Sequence, residues 1–227
     1  AALVWFTVPG KLRGTPVSLS TWRMLARHRL VLLLLAVTAV QTSGQFTVIT
    51  YLGPLLADAG ATAGVIGLFF ALFGVSGFVG NVAATQIVRS IGATNTALGF
   101  LLAMSLGMAI WTFGNGWLAA MAVGVIFWGL GFAAFNSMQQ ARLIFAAPEA
   151  SAATIALNTS CIYVGQAVGS ALGGVLFAFG APAATGPAAT LVSFTSLAIF
   201  WLGARAEPRI ESGRSLAPPR ERWGGQQ

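Results

Sequence analysis

The chain has 227 residues, of which 56% are hydrophobic and 7% charged, and its mean hydropathy is +0.81. About a quarter of an ordinary soluble domain is charged, so this composition excludes that class and points to a protein whose main solvent is lipid. The net charge of +7 would suit a nucleic-acid binder, but the basic residues flank apolar runs without interleaved aromatics or a binding module. Orientation and contact with anionic headgroups explain them better, and no nucleic-acid partner is expected.

Residues 1–8 (AALVWFTV) are apolar but too short for a span, and Pro9, Gly10 and Lys11 follow in place of a cleavage site. They read as the end of an earlier membrane helix. Residues 9–29 combine Pro9, Gly10, Gly14 and Pro16 with five basic residues, and Leu19 to Arg29 suits a short surface helix. The stretch 1–29 is therefore expected to be a helix end plus a cytoplasmic linker.

Six apolar runs come next, over 30–57, 63–88, 94–113, 117–143, 151–179 and 186–204. Each suits the roughly 20 residues that a helix needs to cross a bilayer while satisfying its own backbone. The breakers between them are Asp58 to Thr62, Gly92-Ala93, Gly114-Asn115-Gly116, Pro148 to Ala150, and Gly180 to Pro187. The tail 205–227 carries Pro208, Pro218, Pro219, Gly224 and Gly225 among its charges and is expected to be disordered. The single cysteine, Cys161, falls inside the fifth run, so no disulfide framework is possible within the chain.

The basic residues mark an orientation. Lys11, Arg13, Arg23, Arg27 and Arg29 precede the first run, Arg89 follows the second, Arg142 closes the fourth, and Arg205, Arg209, Arg214, Arg220 and Arg222 follow the sixth. The alternate gaps, around Asp58, Asn115 and Pro182, hold none. Cytoplasmic loops retain Lys and Arg, so both termini of this segment are expected in the cytoplasm.

Polarity separates the runs. The first carries Thr38, Gln41, Thr42, Gln45 and Tyr51, the fourth Asn136, Gln139, Gln140 and Arg142, and the fifth Thr154, Asn158, Tyr163 and Gln166. Amides in a bilayer are costly unless they meet partners or water, so these three helices are expected to face an interior cavity and the third and sixth to face lipid. Gly165, Gly169 and Gly173 in the fifth run, and Gly74, Gly77 and Gly80 in the second, suit close helix packing. The two three-helix units, 30–113 and 117–204, have opposite topology, as in the inverted repeats of secondary transporters.

Several segments resemble the C-terminal half of a major facilitator superfamily (MFS) transporter, in its drug and sugar proton-antiport branch. Gln45 through Leu56 is similar to that branch's seventh helix, and Phe73-Gly74 through Gly80-Asn81 to Arg89 and Gly92 is similar to its eighth helix and following loop. Asn136 through Arg142, Ala147-Pro148-Glu149-Ala150, Ala156 through Ser160 and Gly165 through Gly169 match the tenth and eleventh helices in order and spacing. Two features depart from the pattern. Val88-Arg89-Ser90 lacks the acid of the usual Asp-Arg pair, and Ser137 replaces a proline.

The resemblance implies an all-α membrane protein with six helices in two inverted repeats, half of a twelve-helix fold. It further implies proton-coupled efflux of a small organic molecule by alternating access, in a bacterial inner membrane, with an N-terminal six-helix half as partner. A self-contained six-span homodimeric channel or scaffold subunit is the alternative.

Candidate cavity residues are Gln41, Gln45, Phe46, Tyr51, Asn136, Gln140 and Asn158, each of which could instead bond or pack between helices. Arg89, Arg142 and Glu149 are candidates for a cytoplasmic gate, against simple interfacial anchoring of Arg142. Asp58 and His28 read as exposed or interfacial groups. No acid lies deep in any run, so a proton carrier is expected in the other half. No metal cluster, cofactor motif or catalytic constellation is legible, and an enzyme is not expected.

Overall fold

A computed structural model describes residues 18–206. The expected helix end at 1–8, residues 9–17 of the linker and residues 207–227 of the tail lie outside the described residues. Among the described residues the fold is entirely helical: α1 (Leu19–Arg27), α2 (Arg29–Ile49), α3 (Leu52–Asp58), α4 (Ala63–Phe113), α5 (Leu118–Ala146), α6 (Ser151–Ala178) and α7 (Thr185–Ala206). Five of them (α2, α4, α5, α6 and α7) are long and apolar enough to cross a membrane.

The first run is not one helix. It divides at Thr50–Tyr51, where Tyr51 leaves helical geometry (φ −112°, ψ 15°) before α3 begins. Pro54 explains the break, because its ring has no N–H to give the Thr50 carbonyl four residues earlier and clashes with it. At the other end of α2, His28 serves as N-cap, its Nδ1 accepting from the Val31 N–H at 3.4 Å.

Helix α4 has 51 residues, which laid straight would reach about 76 Å. It is not straight. Gly92, at φ 78° and ψ 167°, turns the chain back between residues 63–91 and 93–113. The Phe69 and Trp111 rings, one on each arm, meet edge to face at 6.5 Å between centroids.

Helix α5 packs on both arms through glycine. Gly77 and Gly80 lie against the Gly129 and Leu130 backbone, Gly107 against Gly124 and Trp128, and Gly131 against Phe100 and Met104. Helix α2 is the other hub. Gly165, Gly169 and Gly173 of α6 sit on Ala39, Ser43 and Thr47, and Gly44 of α2 faces the Ala189 carbonyl of α7. The second arm of α4 joins α7 where Thr190 donates to the Met108 carbonyl at 3.0 Å.

Three expectations change here. The third run is half core: Ala97, Leu101, Met104, Met108 and Trp111 are buried, while Leu98, Leu102 and Leu106 on the opposite face are exposed. Gly74 is exposed, and a methyl group there would meet nothing within 4 Å. Arg205, read as tail, lies in α7 with its guanidinium over the Trp201 ring.

Candidate functional site

A cleft opens between α2, α5 and α6, lined by Thr38, Gln41, Thr42, Gln45, Phe46, Phe132, Phe135, Asn136, Ile162 and Gln166. Its volume is about 20 Å³, room for about one water molecule. A drug-sized ligand occupies roughly 300 Å³ or more, so these three helices form one wall of such a site at most.

Each amide of that wall is held differently. Gln41 is consumed by α7: its Nε2 donates to Ser193 Oγ at 3.3 Å, and its Oε1 accepts from Ser196 Oγ. Gln45 sits one turn further along the same face of α2, where its Oε1 accepts from the Trp128 indole N–H at 3.1 Å. A relay crosses from α2 through α6 to α5, with Thr38 Oγ1 donating to Asn158 Oδ1 at 2.8 Å and Asn158 Nδ2 donating to Asn136 Oδ1 at 3.4 Å. Phe46, Phe132 and Phe135 supply the apolar surface between these groups.

The structure thus brings Gln41, Gln45, Phe46 and Asn136 to one cleft and places Asn158 directly behind Asn136. Tyr51 and Gln140 are not part of its lining. Tyr51 stacks on Phe177 at 4.6 Å and donates to the Ser170 carbonyl at 3.0 Å, closing over Gly173 and Gly174.

Nor do the three gating candidates form a cluster. Arg89 and Glu149 are exposed. Arg142 belongs to helix α5, not to a loop, and is buried to 3% exposure. Its guanidinium lies 4.1 Å over the Phe200 ring and donates to Gln139 Oε1 at 2.6 Å. Gln139 Nε2 in turn donates to the Leu34 carbonyl at 2.9 Å. Arg142 therefore ties α5 to α7 and, through Gln139, to α2.

Trp128, absent from the sequence-derived candidates, is bonded directly to this wall through Gln45. Trp128, Phe132, Phe135 and Asn136 follow helical spacing on α5, so a face-by-face reading of the fourth run would have grouped the indole with the cavity residues. Among the described residues no three His, Cys, Asp or Glu side chains come together, and none of these types lines the cleft.

No family model matches the chain. It is 29% identical over 178 residues to a protein of Bacillus subtilis (strain 168) described as the uncharacterized MFS-type transporter YtbD. The match takes in 74% of this chain and 44% of that protein, so the chain spans less than half the length of the relative.

Proposed function

We propose that the chain is part of a secondary active transporter that exports a small organic molecule in exchange for protons by alternating access. The observation that carries this reading is the amide-and-phenylalanine cleft, which sets polar amides among apolar rings, is built from three span-length helices and is too small to enclose a ligand alone. The similarity to an MFS-type transporter over 44% of its length agrees with a site completed by a second helical unit. That unit is the six-helix half which the family resemblance implies.

In this reading the two arms of α4 cross the membrane separately, making six spans with both ends of the segment on the cytoplasmic side of a bacterial inner membrane. The spans form two inverted repeats, and the packing is consistent with the exchange of one unit for the other. Span one packs on spans five and six, and span four on spans two and three. Gly77 and Gly80 of span two lie on span four as Gly165 and Gly169 of span five lie on span one. Coupling protons are carried by the other half, since Asp58 and Glu149 are both exposed and neither lines the cleft.

The test uses inside-out vesicles from cells expressing the full reading frame, energised to acidify their interior. Three substances represent three substrate classes: 7-methoxycoumarin, ethidium and methyl β-thiogalactoside. An antiporter dissipates the pH gradient when its substrate is added. No response to any class, together with steady ion conductance from residues 1–227 reconstituted alone, would favour the homodimeric channel and overturn the transporter reading.

A further inference from the structure

We infer that the cleft between α2, α5 and α6 is a hydrogen-bond donor site, with Gln45 Nε2 as principal donor and Trp128 as the residue that positions it. Its ligand is a neutral, planar, largely apolar molecule bearing a carbonyl acceptor. This rests on the carrier reading, because the ligand of the cleft is taken to be the transported molecule.

The argument begins with an asymmetry of the indole ring. Its N–H can only donate, so whatever accepts from it must be an oxygen. Trp128 is fully buried, and its N–H is 3.1 Å from the Gln45 side chain, which fixes the amide with its carbonyl toward α5. The NH2 group must then point the other way. Gln45 lines the cleft and is only 4% exposed, and its Nε2 has no partner among the described residues. An amide donor held at the cleft without a protein partner is available to a ligand that accepts.

A second donor lies on the same wall. The Leu34 carbonyl takes the Gln139 N–H at 2.9 Å, and Thr38 makes its shorter contact, 2.8 Å, with Asn158 Oδ1. That polarity sends the Asn158 N–H to Asn136 Oδ1 and leaves the NH2 of Asn136 at the cleft it lines. Both relays therefore end in N–H groups. Phe46, Phe132 and Phe135 beside them offer ring faces and edges to a flat apolar body. No cation lines the cleft to balance an anion, and donors directed at the ligand disfavour a cation.

Gln41 makes the contrast. It shares the helix face and lines the same cleft, yet both ends of its amide are bonded to Ser193 and Ser196. With one N–H and one oxygen lone pair engaged there, its amide is oriented by α7 rather than by the ligand.

The experiment uses three bicyclic compounds of matched shape: 7-methoxycoumarin (neutral, with a carbonyl), 2-methoxynaphthalene (neutral, without one) and 6-methoxy-N-methylquinolinium (cationic). Binding to the purified full-length protein in nanodiscs is measured by equilibrium dialysis. A neutral hydrogen bond made in place of one to water changes affinity by roughly fivefold, so two donors predict the coumarin bound at least about tenfold more tightly than either companion. Gln45→Met keeps the bulk and removes the donor, and should lower the coumarin-to-naphthalene ratio roughly fivefold.

Trp128→Phe, a second variant, frees the Gln45 amide to turn and should lower the same ratio with the amide still present. A wild-type preference for the cation, no binding of the coumarin, or a ratio unchanged in both variants overturns the inference. Coumarin bound as expected without any movement across vesicles would uphold the donor site and sink the carrier reading. Transport that is indifferent to Gln45→Met would do the reverse.

Discussion

Replacing Gly165 by alanine tests the contact between α2 and α6 most directly. A Cβ built there falls 2.6 Å from the Ala39 carbonyl oxygen, 2.8 Å from Thr42 Cβ and 3.2 Å from the Ser43 nitrogen. Ala39 O and Ser43 N are main chain of α2 and cannot rotate aside. Helix α6 must then withdraw by about 0.4 Å merely to bring the nearest contact to 3.0 Å, and a gap near that size forfeits roughly a quarter of the attraction between facing atoms. The loss extends along the stripe, because Gly169 and Gly173 rest on Ser43 and Thr47 from the same face. Overpacking of this kind costs about 1–3 kcal/mol, and about 2 kcal/mol lowers the ratio of folded to unfolded protein roughly 30-fold.

The assay heats the full-length protein in nanodiscs and follows a maleimide dye reacting with Cys161, the single cysteine of this chain, which is partly buried on α6. Gly165→Ala should lower the midpoint clearly. Gly74→Ala is the matched control: its methyl meets nothing within 4 Å, and alanine favours helix by about 1 kcal/mol over glycine, so its midpoint should hold or rise. A Gly165→Ala protein as stable as the wild type would refute the close-contact reasoning.

Two further substitutions examine other parts of the frame. Gly92→Ala places a side chain at φ 78° and ψ 167°, a region essentially reserved for glycine, and should destabilise by about 1–3 kcal/mol; the same thermal assay reads it, and no change would show that the reversal does not depend on glycine. Arg142→Lys keeps the charge but loses both the stacking on Phe200 and the 2.6 Å bond to Gln139. A charge-assisted hydrogen bond alone contributes about 1.5–3 kcal/mol, so the midpoint should drop, whereas an unchanged midpoint would mean that the ammonium serves equally well.

The apolar runs and their punctuation were legible because lipid imposes a length and a composition that few other environments demand. The break at Gly92, the turns at Gly116 and Gly180 and the glycine face of α6 are local signals, each carried by residues close in the chain. The interruption at Tyr51 is not legible in hydropathy, which stays high across Pro54. The pairings within the site lay beyond sequence reading. Gln41 and Gln45 look equivalent as a pattern, and only the partners brought by α7 and α5, Ser193 and Trp128, distinguish an amide bonded at both ends from one bonded only through its oxygen. Arg142 illustrates the same limit. Its place near a helix end suggested a side chain reaching water, whereas Phe200, 58 positions later, covers it.

The reversal at Gly92 has a consequence for biogenesis. Helical hydrogen bonding runs up to the turn on both sides, so there is no slack segment for a protease to draw into its active site, and limited digestion should spare this point while cutting elsewhere. In the proposed six-span arrangement, the same tightness would give the two arms of α4 no freedom to enter the bilayer one after the other. On that arrangement they would be integrated as a single hairpin, with the pair of segments leaving the translocation machinery together.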